Sequence, residues 1–285
     1  MEQKVTVPEI VKAKATGRPI VALTAYDFPF ACIADEAGVD VLLVGDSLGM
    51  VVQGHENTLP VTMDEMVYHT RMVARGRRRA LLVADLPFLS YQVSPADAVA
   101  NAGRLIKDGA AEAVKLEGGA AMAQTIERIA AVDIPVMGHI GLTPQSVHRM
   151  GGHKVQGRRH GQAAGQRERL IDDALAVEAA GAFAIVLEGI PLDLAAEITG
   201  QLAIPTIGIG AGPHCDGQIL VLHDVLGLSE RPSPRFAKRY ADLWAAARGA
   251  VEAYAGEVRG ATFPTLAHSF QPLATVPPKE AGAKG

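Results

Sequence analysis

Val39-Asp40-Val41-Leu42-Leu43-Val44-Gly45-Asp46-Ser47-Leu48-Gly49-Met50 is a nearly unbroken apolar run that stops on an acid. From Val41 to Val44 its apolar residues do not alternate with polar ones. The run therefore reads as a strand buried on both faces, the kind that fills the middle of a parallel sheet. Asp46 and Ser47 place a carboxylate and a hydroxyl where that strand opens into a loop. In α/β folds this strand end is where ligands bind.

The same design recurs. Ala80-Leu81-Leu82-Val83-Ala84-Asp85 ends at Leu86-Pro87, Ala111-Glu112-Ala113-Val114-Lys115-Leu116-Glu117 at Gly118-Gly119, and Phe183-Ala184-Ile185-Val186-Leu187-Glu188 at Gly189. Taken singly, each acid is an ordinary helix cap or turn residue. Four acids at the same end of four buried strands favour one shared mouth.

Outward from these strands, the chain alternates strand and helix patterns. Pro8 to Lys14 predicts a short N-terminal helix placed to cover the bottom of a barrel, and Ile20 to Ala25 the first strand. Thr62 and Glu65 form a capping box ahead of a helix. Pro135 to Gly141, Ile204 to Gly212 and Gln218 to His223 supply the fifth, seventh and eighth strands, and Pro234 starts a helix that carries Trp244 to about Tyr254. Leu142 to Gln166 is long and glycine-rich, which predicts a lid. Repeated strand-helix units with acids at one end predict an α/β fold, a (β/α)8 TIM barrel. A doubly wound open sheet competes, but the first strand-helix turn has no G-x-G-x-x-G sequence. The expected organisation is one catalytic domain over residues 1–270 and a disordered tail over 271–285, rich in Pro, Gly and Ala.

The 285 residues carry a formal charge of −4, which gives no reason to expect a nucleic-acid or membrane partner. No apolar run reaches the ~18 residues that span a bilayer, and the N-terminus lacks a signal-peptide core. Cys32 and Cys215 are far apart without metal-ligand spacing, so a reducing, cytoplasmic setting is expected. Arg75-Gly76-Arg77-Arg78-Arg79 reads as the solvated end of a helix rather than a binding patch.

Carboxylates crowded into one mouth need protons or a cation to neutralise them. Oxygen ligands without Cys or clustered His favour a hard ion, Mg2+ first, with Asp46, Asp85 and Glu117 as the ligand set. Glu188, from the far side of the barrel, is better placed as a base. Lys115 lies two residues before Glu117 and points into the barrel with it. It either pairs with one of the acids or binds a substrate carboxylate, and the two can alternate. His139 is a hydrogen-bond donor at the site or a satisfied core histidine. Gly208 to Gly212 reads as close packing more readily than as a phosphate cradle. A divalent ion, an ammonium and a carboxylate base suit the enolisation of a 2-oxo acid, whose carbon then attacks an electrophile.

Val44 to His55 followed by Thr58-Leu59-Pro60-Val61-Thr62, then Ala84 to Phe88, Val114 to Gly119, Gly138 to Ser146, Lys154 to Arg158, Asp216-Gly217-Gln218 and His268-Ser269-Phe270 resemble the ketopantoate hydroxymethyltransferase family. The likeness runs from about residue 6 to residue 270, and motifs this long are specific. It implies transfer of a hydroxymethyl group from 5,10-methylenetetrahydrofolate to 3-methyl-2-oxobutanoate, giving 2-dehydropantoate in pantothenate biosynthesis. It also implies Mg2+ on Asp46, Asp85 and Glu117, the oxo acid on Asp46, Ser47, Asp85 and Lys115, Glu188 as proton acceptor, and a homodecamer. Glu56 stands where that family usually has Asp, and residues 158–167 are longer and richer in Arg and Gly than is typical. A lyase of the isocitrate-lyase type would use a similar barrel, but neither cysteine lies in the loop after the fifth strand where such an enzyme needs one. A non-catalytic metabolite-binding barrel would have no use for Glu188.

Overall fold

Four consecutive buried residues make up β2 (Val41–Val44) and five make up β3 (Leu81–Asp85). A strand with no exposed face fits only in the interior of a sheet covered on both sides. The computed structural model describes residues 3–152, 154–158, 166–229 and 234–271. Around β2 and β3 the chain runs α1 (Val7–Thr16), β1 (Ile20–Thr24), α2 (Phe28–Glu36), then, after β2, α3 (Leu48–Val51) and α4 (Met63–Gly76). After β3 come α5 (Pro95–Lys107), β4 (Ala113–Lys115), α6 (Ala123–Ala130), β5 (Val136–Gly141), α7 (Val147–Met150) and α8 (Gln166–Ala179). The order ends with β6 (Ala184–Glu188), α9 (Leu192–Gln201), β7 (Thr206–Ile209), β8 (Gly217–Leu220), α10 (Leu222–Leu226) and α11 (Leu243–Arg259).

The eight strands pair in parallel in sequence order, and β8 pairs back onto β1, with Ile20 opposite Gly217, to close the barrel. The open-sheet alternative is thereby excluded. Strand alternation divides the apolar residues into two cores. Val41, Leu43, Leu81, Val83, Ala113, Met137 and Val186 fill the barrel interior. Leu42, Val44, Leu82, Ala84, Val114 and Leu187 face outward against the helices. Ile10 and Ala13 of α1 join the interior cluster, so the N-terminal helix plugs the bottom as expected. Each fully buried Leu or Val here contributes about 1.5–3 kcal/mol relative to exposure.

Several local readings change. The capping box forms at Thr62 and Glu65, with Glu65 Oε2 accepting from Thr62 N at 2.7 Å. By contrast, β7 passes to β8 over residues 210–216 without a helix. Asp216 supports that short crossing: its Oδ2 accepts from Thr206 N at 2.8 Å and pairs with Lys14 Nζ at 2.8 Å. Strand β8 ends at Leu220, so His223 belongs to α10 rather than to the strand. The basic run after α4 is not simply solvated. Arg77 pairs with Glu112 at 2.7 Å, Arg79 lies 3.5 Å from Asp40, and Asp35 accepts from the backbone N–H of Arg78 at 2.8 Å. Gly210 and Gly212 serve packing, because a Cβ there would meet Phe236 at 2.9 Å and Leu192 at 2.5 Å.

The chain forms two compact units, Met1–Ala241 with the barrel and Asp242–Gly285. In the second unit Asp242, not Pro234, starts the helix: its side chain caps α11 by accepting from Ala245 N at 3.2 Å. The predicted tail beyond Gln271 and residues 153 and 159–165 of the predicted lid lie outside the described residues. The described part of the lid holds a 3-10 turn, Pro144–Ser146, and α7. Among the described residues, no helix is long and apolar enough to cross a membrane.

Candidate active site

Alternation along a strand places Asp85 inward with Leu81 and Val83, Lys115 with Ala113, His139 with Met137, and Glu188 with Ala184 and Val186. Asp46 and Ser47 lie beyond the end of β2, where alternation no longer applies. A tight turn delivers them: Gly45 lets the chain pass so close that a Cβ there would sit 2.7 Å from Ser47 Oγ and 3.6 Å from Asp85 Oδ2. The side chains from β2, β3, β4, β5 and β6 thus meet at the C-terminal mouth of the barrel.

The contacts form a chain. Asp46 N donates to Asp85 Oδ2 at 3.0 Å. Asp85 Oδ1 lies 3.0 Å from Lys115 Nζ in a buried ion pair. Lys115 Nζ is 3.2 Å from His139 Nδ1, which stands 3.5 Å from Glu117 Oε1. On its other side His139 Nε2 approaches Glu188 Oε2 at 3.3 Å, off the line of a hydrogen bond. Ser47 Oγ shares a hydrogen bond of 2.8 Å with the Tyr26 hydroxyl. All the predicted site residues are therefore brought together. The Lys115 pairing with Asp85 is present, and His139 bridges two acids rather than sitting satisfied in the core.

Burial and mutual repulsion govern the electrostatics. Asp46 is pushed well above the ordinary carboxylate range by burial and by the charges of Asp85 and Glu117. Asp85 is raised by burial as well, although Lys115 opposes the shift. For Lys115 burial favours the neutral amine, yet Asp85, Glu117 and Asp46 outweigh it and hold the ammonium above its usual pKa. Burial and Lys115 push His139 down, but Glu117 and Glu188 prevail and raise it to about 9. Groups so strongly perturbed by burial and by one another within one cleft point to a functional site.

Gln145 and Tyr91 complete the arrangement, and no chemistry was read from either in the sequence. Gln145 Nε2 donates to Asp46 Oδ2 at 2.9 Å and to Leu86 O at 3.0 Å, while its backbone N donates to Glu117 Oε2 at 3.0 Å. The Tyr91 hydroxyl donates to Gln145 Oε1 at 2.7 Å and accepts from Glu117 N at 3.1 Å. One residue thus fixes two of the acids, Asp46 through its side chain and Glu117 through its backbone N–H. The available signal was position, since Gln145 follows Thr143-Pro144 just past the end of β5. Replacing it by leucine, Gln145→Leu, leaves Asp46 Oδ2 and Leu86 O without this donor, at about 1–3 kcal/mol for each orphaned group. The expected result is a lower urea midpoint with an unchanged slope; parental stability would remove Gln145 from this role.

Among the described residues, no three His, Cys, Asp or Glu side chains form a ready-made metal cage. The donor set still fits Mg2+. That ion usually keeps several waters, so its carboxylates need not close on it as a cage. Asp85 Oδ1 also offers a buried oxygen beside Asp46, held only by the Lys115 ammonium at 3.0 Å.

Solved structures similar in fold include a phosphonopyruvate hydrolase complex with oxalate and Mg++ (TM-score 0.58, 15% identity, covering 92% of each chain). A 2,3-dimethylmalate lyase is similar too (TM-score 0.59, 16% identity, covering 95% of this chain and 90% of that one). At these identities the likeness is one of fold alone. Sequence relatives are much nearer. The 3-methyl-2-oxobutanoate hydroxymethyltransferase of Pelobacter propionicus is 61% identical over 270 residues, 95% of this chain and 98% of that protein. Its counterpart in Geobacter metallireducens is 61% identical over 95% of this chain and 100% of that protein. Residues 4–266 match the sequence profile of the family described as ketopantoate hydroxymethyltransferase. With that match spanning nearly all of its length, the chain belongs to the ketopantoate hydroxymethyltransferase family.

Proposed function

We propose that this chain transfers a hydroxymethyl group from 5,10-methylenetetrahydrofolate to 3-methyl-2-oxobutanoate, giving 2-dehydropantoate. In this reading Asp46, Asp85 and Glu117 hold Mg2+, Ser47 and Lys115 bind the oxo acid beside Asp46 and Asp85, and Glu188 is the base. The observation that carries it is the convergence of three acids and one lysine at the barrel mouth, with Glu188 facing them across His139. Bound there, Mg2+ would supply positive charge to stabilise the enolate.

The chain's own groups account for the remaining steps. Lys115, held charged by its neighbours, attracts the substrate carboxylate and positions the oxo acid. The Glu188 side chain is 16% exposed against 4% for Asp85 and Glu117, so it is the acid that reaches a substrate seated above them. It takes the C3 proton. One water releases the donor methylene from both folate nitrogens as formaldehyde, leaving tetrahydrofolate, and C3 then adds to that carbonyl carbon, whose oxygen takes up a proton and becomes the new hydroxyl. The homodecamer and the cytoplasmic setting belong to the same proposal; the free thiols of Cys32 and Cys215 agree with a reducing compartment.

The test separates the first half of the reaction from the second. In deuterated water with Mg2+ and no folate, the C3 proton of 3-methyl-2-oxobutanoate should exchange slowly, and a chelator should stop the exchange. Native protein that exchanges nothing would refute the enolisation mechanism.

A further inference from the structure

The transferred carbon has to reach the carbon that Glu188 deprotonates, so the donor must enter through space continuous with the acids. Two cavities are candidates. One, of about 790 Å3, lies against Ala13, Lys14, Ile20 and Asp216 and shares no residue with the acid cluster. The other, of about 450 Å3, is lined by Glu117, one of the acids, and by Tyr91 and Gln145, which hold it in place; Gly141, paired with Glu188 across β5 and β6, lines it too. Its size falls in the ~300–1,000 Å3 range of sites for drug-sized ligands.

We infer that this second cavity is the seat of the reduced folate, with its ring at the inner end beside Glu117 and its glutamate tail between Arg149 and Arg169. This rests on the function proposed above and adds where the donor binds. Met122 and the almost fully buried Ile140 add apolar surface beside Glu117, against which a flat bicyclic ring can rest. The outer wall carries two guanidinium groups, both exposed: Arg149 on α7 and Arg169 on α8. Asp173, one helical turn from Arg169, is 3.9 Å from it and also accepts from Ala120 N at 2.8 Å. The rim therefore holds two cations to one carboxylate, while the floor is acidic. A ligand with a polar, uncharged ring and an anionic tail matches that gradient, because Arg pairs carboxylates in a two-pronged geometry.

The experiment uses the full-length protein with Arg149→Ala and Arg169→Ala combined, and 5,10-methylenetetrahydrofolate carrying one or three glutamates. The KM for the triglutamate donor should rise at least tenfold and the preference over the monoglutamate should vanish, while the KM for the oxo acid stays within twofold. Titration with 5-formyltetrahydrofolate should show the same loss of binding. A second variant, Met122→Trp, crowds that apolar surface and should weaken both donors equally. Native donor KM in both variants, or an oxo-acid KM that rises in step, would overturn the assignment. Failure of the function itself would appear elsewhere, as absent proton exchange in the unmodified protein.

Discussion

Glu188→Gln is expected to slow folate-free exchange of the C3 proton by about 10²–10⁴-fold, the usual contribution of a positioned general base. The substitution keeps the size and hydrogen-bonding reach of the side chain while removing its basicity. Glu188 is the last residue of β6 and is set apart from Asp46 and Asp85, with His139 Nε2 at 3.3 Å as its neighbour among the site groups. The carboxylates assigned to Mg2+ stay untouched, so the affinity for the ion, followed by calorimetry, should hardly move. A Glu188→Gln protein that exchanges at the parental rate would return the chain to the class of non-catalytic binding barrels. Exchange lost together with ion affinity would place Glu188 among the ligands rather than at the proton.

The second large effect is on stability. Lys115→Met removes an ammonium that lies 3.0 Å from Asp85 and leaves Asp46, Asp85 and Glu117 buried with less compensation. Breaking a buried charge pair by deleting one partner costs about 3–5 kcal/mol. The loss should be largest in chelator and should shrink in millimolar Mg2+, because an ion bound only by the folded state stabilises it by mass action. Its pH dependence has a definite sign. Asp46 and Asp85 are already raised in the folded chain by burial, and deleting the cation raises them further. Carboxylates with raised folded pKa values bind more protons folded than unfolded. Stability is therefore highest in acid and falls as pH climbs through the folded values. The gap between variant and parent should widen from pH 5 to pH 8 in denaturant titrations. A variant as stable as the parent in chelator at pH 8 would show that Lys115 does not compensate these acids.

Much of the architecture was legible because strand burial leaves a pattern in the letters. Continuous apolar runs ending at Asp85 and Glu188 read as parallel strands, and the spacing of Lys115 and Glu117 put both inside the barrel. Other features left no such pattern. The direct crossing from β7 to β8 is tied by Asp216 to Thr206 at its start and to Lys14, a partner distant in sequence that no local pattern announces. The start of α11 was misread because Pro234 fits the first turn of a helix by local preference, whereas the helix begins after the cap at Asp242.

The sequence by itself determined the barrel, the family and the strand-end acids, because periodicity and motifs are local properties of the chain. Only the tertiary structure decided how those acids share one space. Asp46 and Ser47 lie past the end of β2, where alternation gives no direction; the Gly45 turn brings the Asp46 N–H onto Asp85, its carboxylate onto Gln145 and the Ser47 hydroxyl onto Tyr26. His139 became a bridge between Glu117 and Glu188, and Gln145 became the clasp on Asp46 and Glu117. Hydrogen bonds between strands far apart in the chain follow from barrel closure and register, and spacing along the sequence does not encode them.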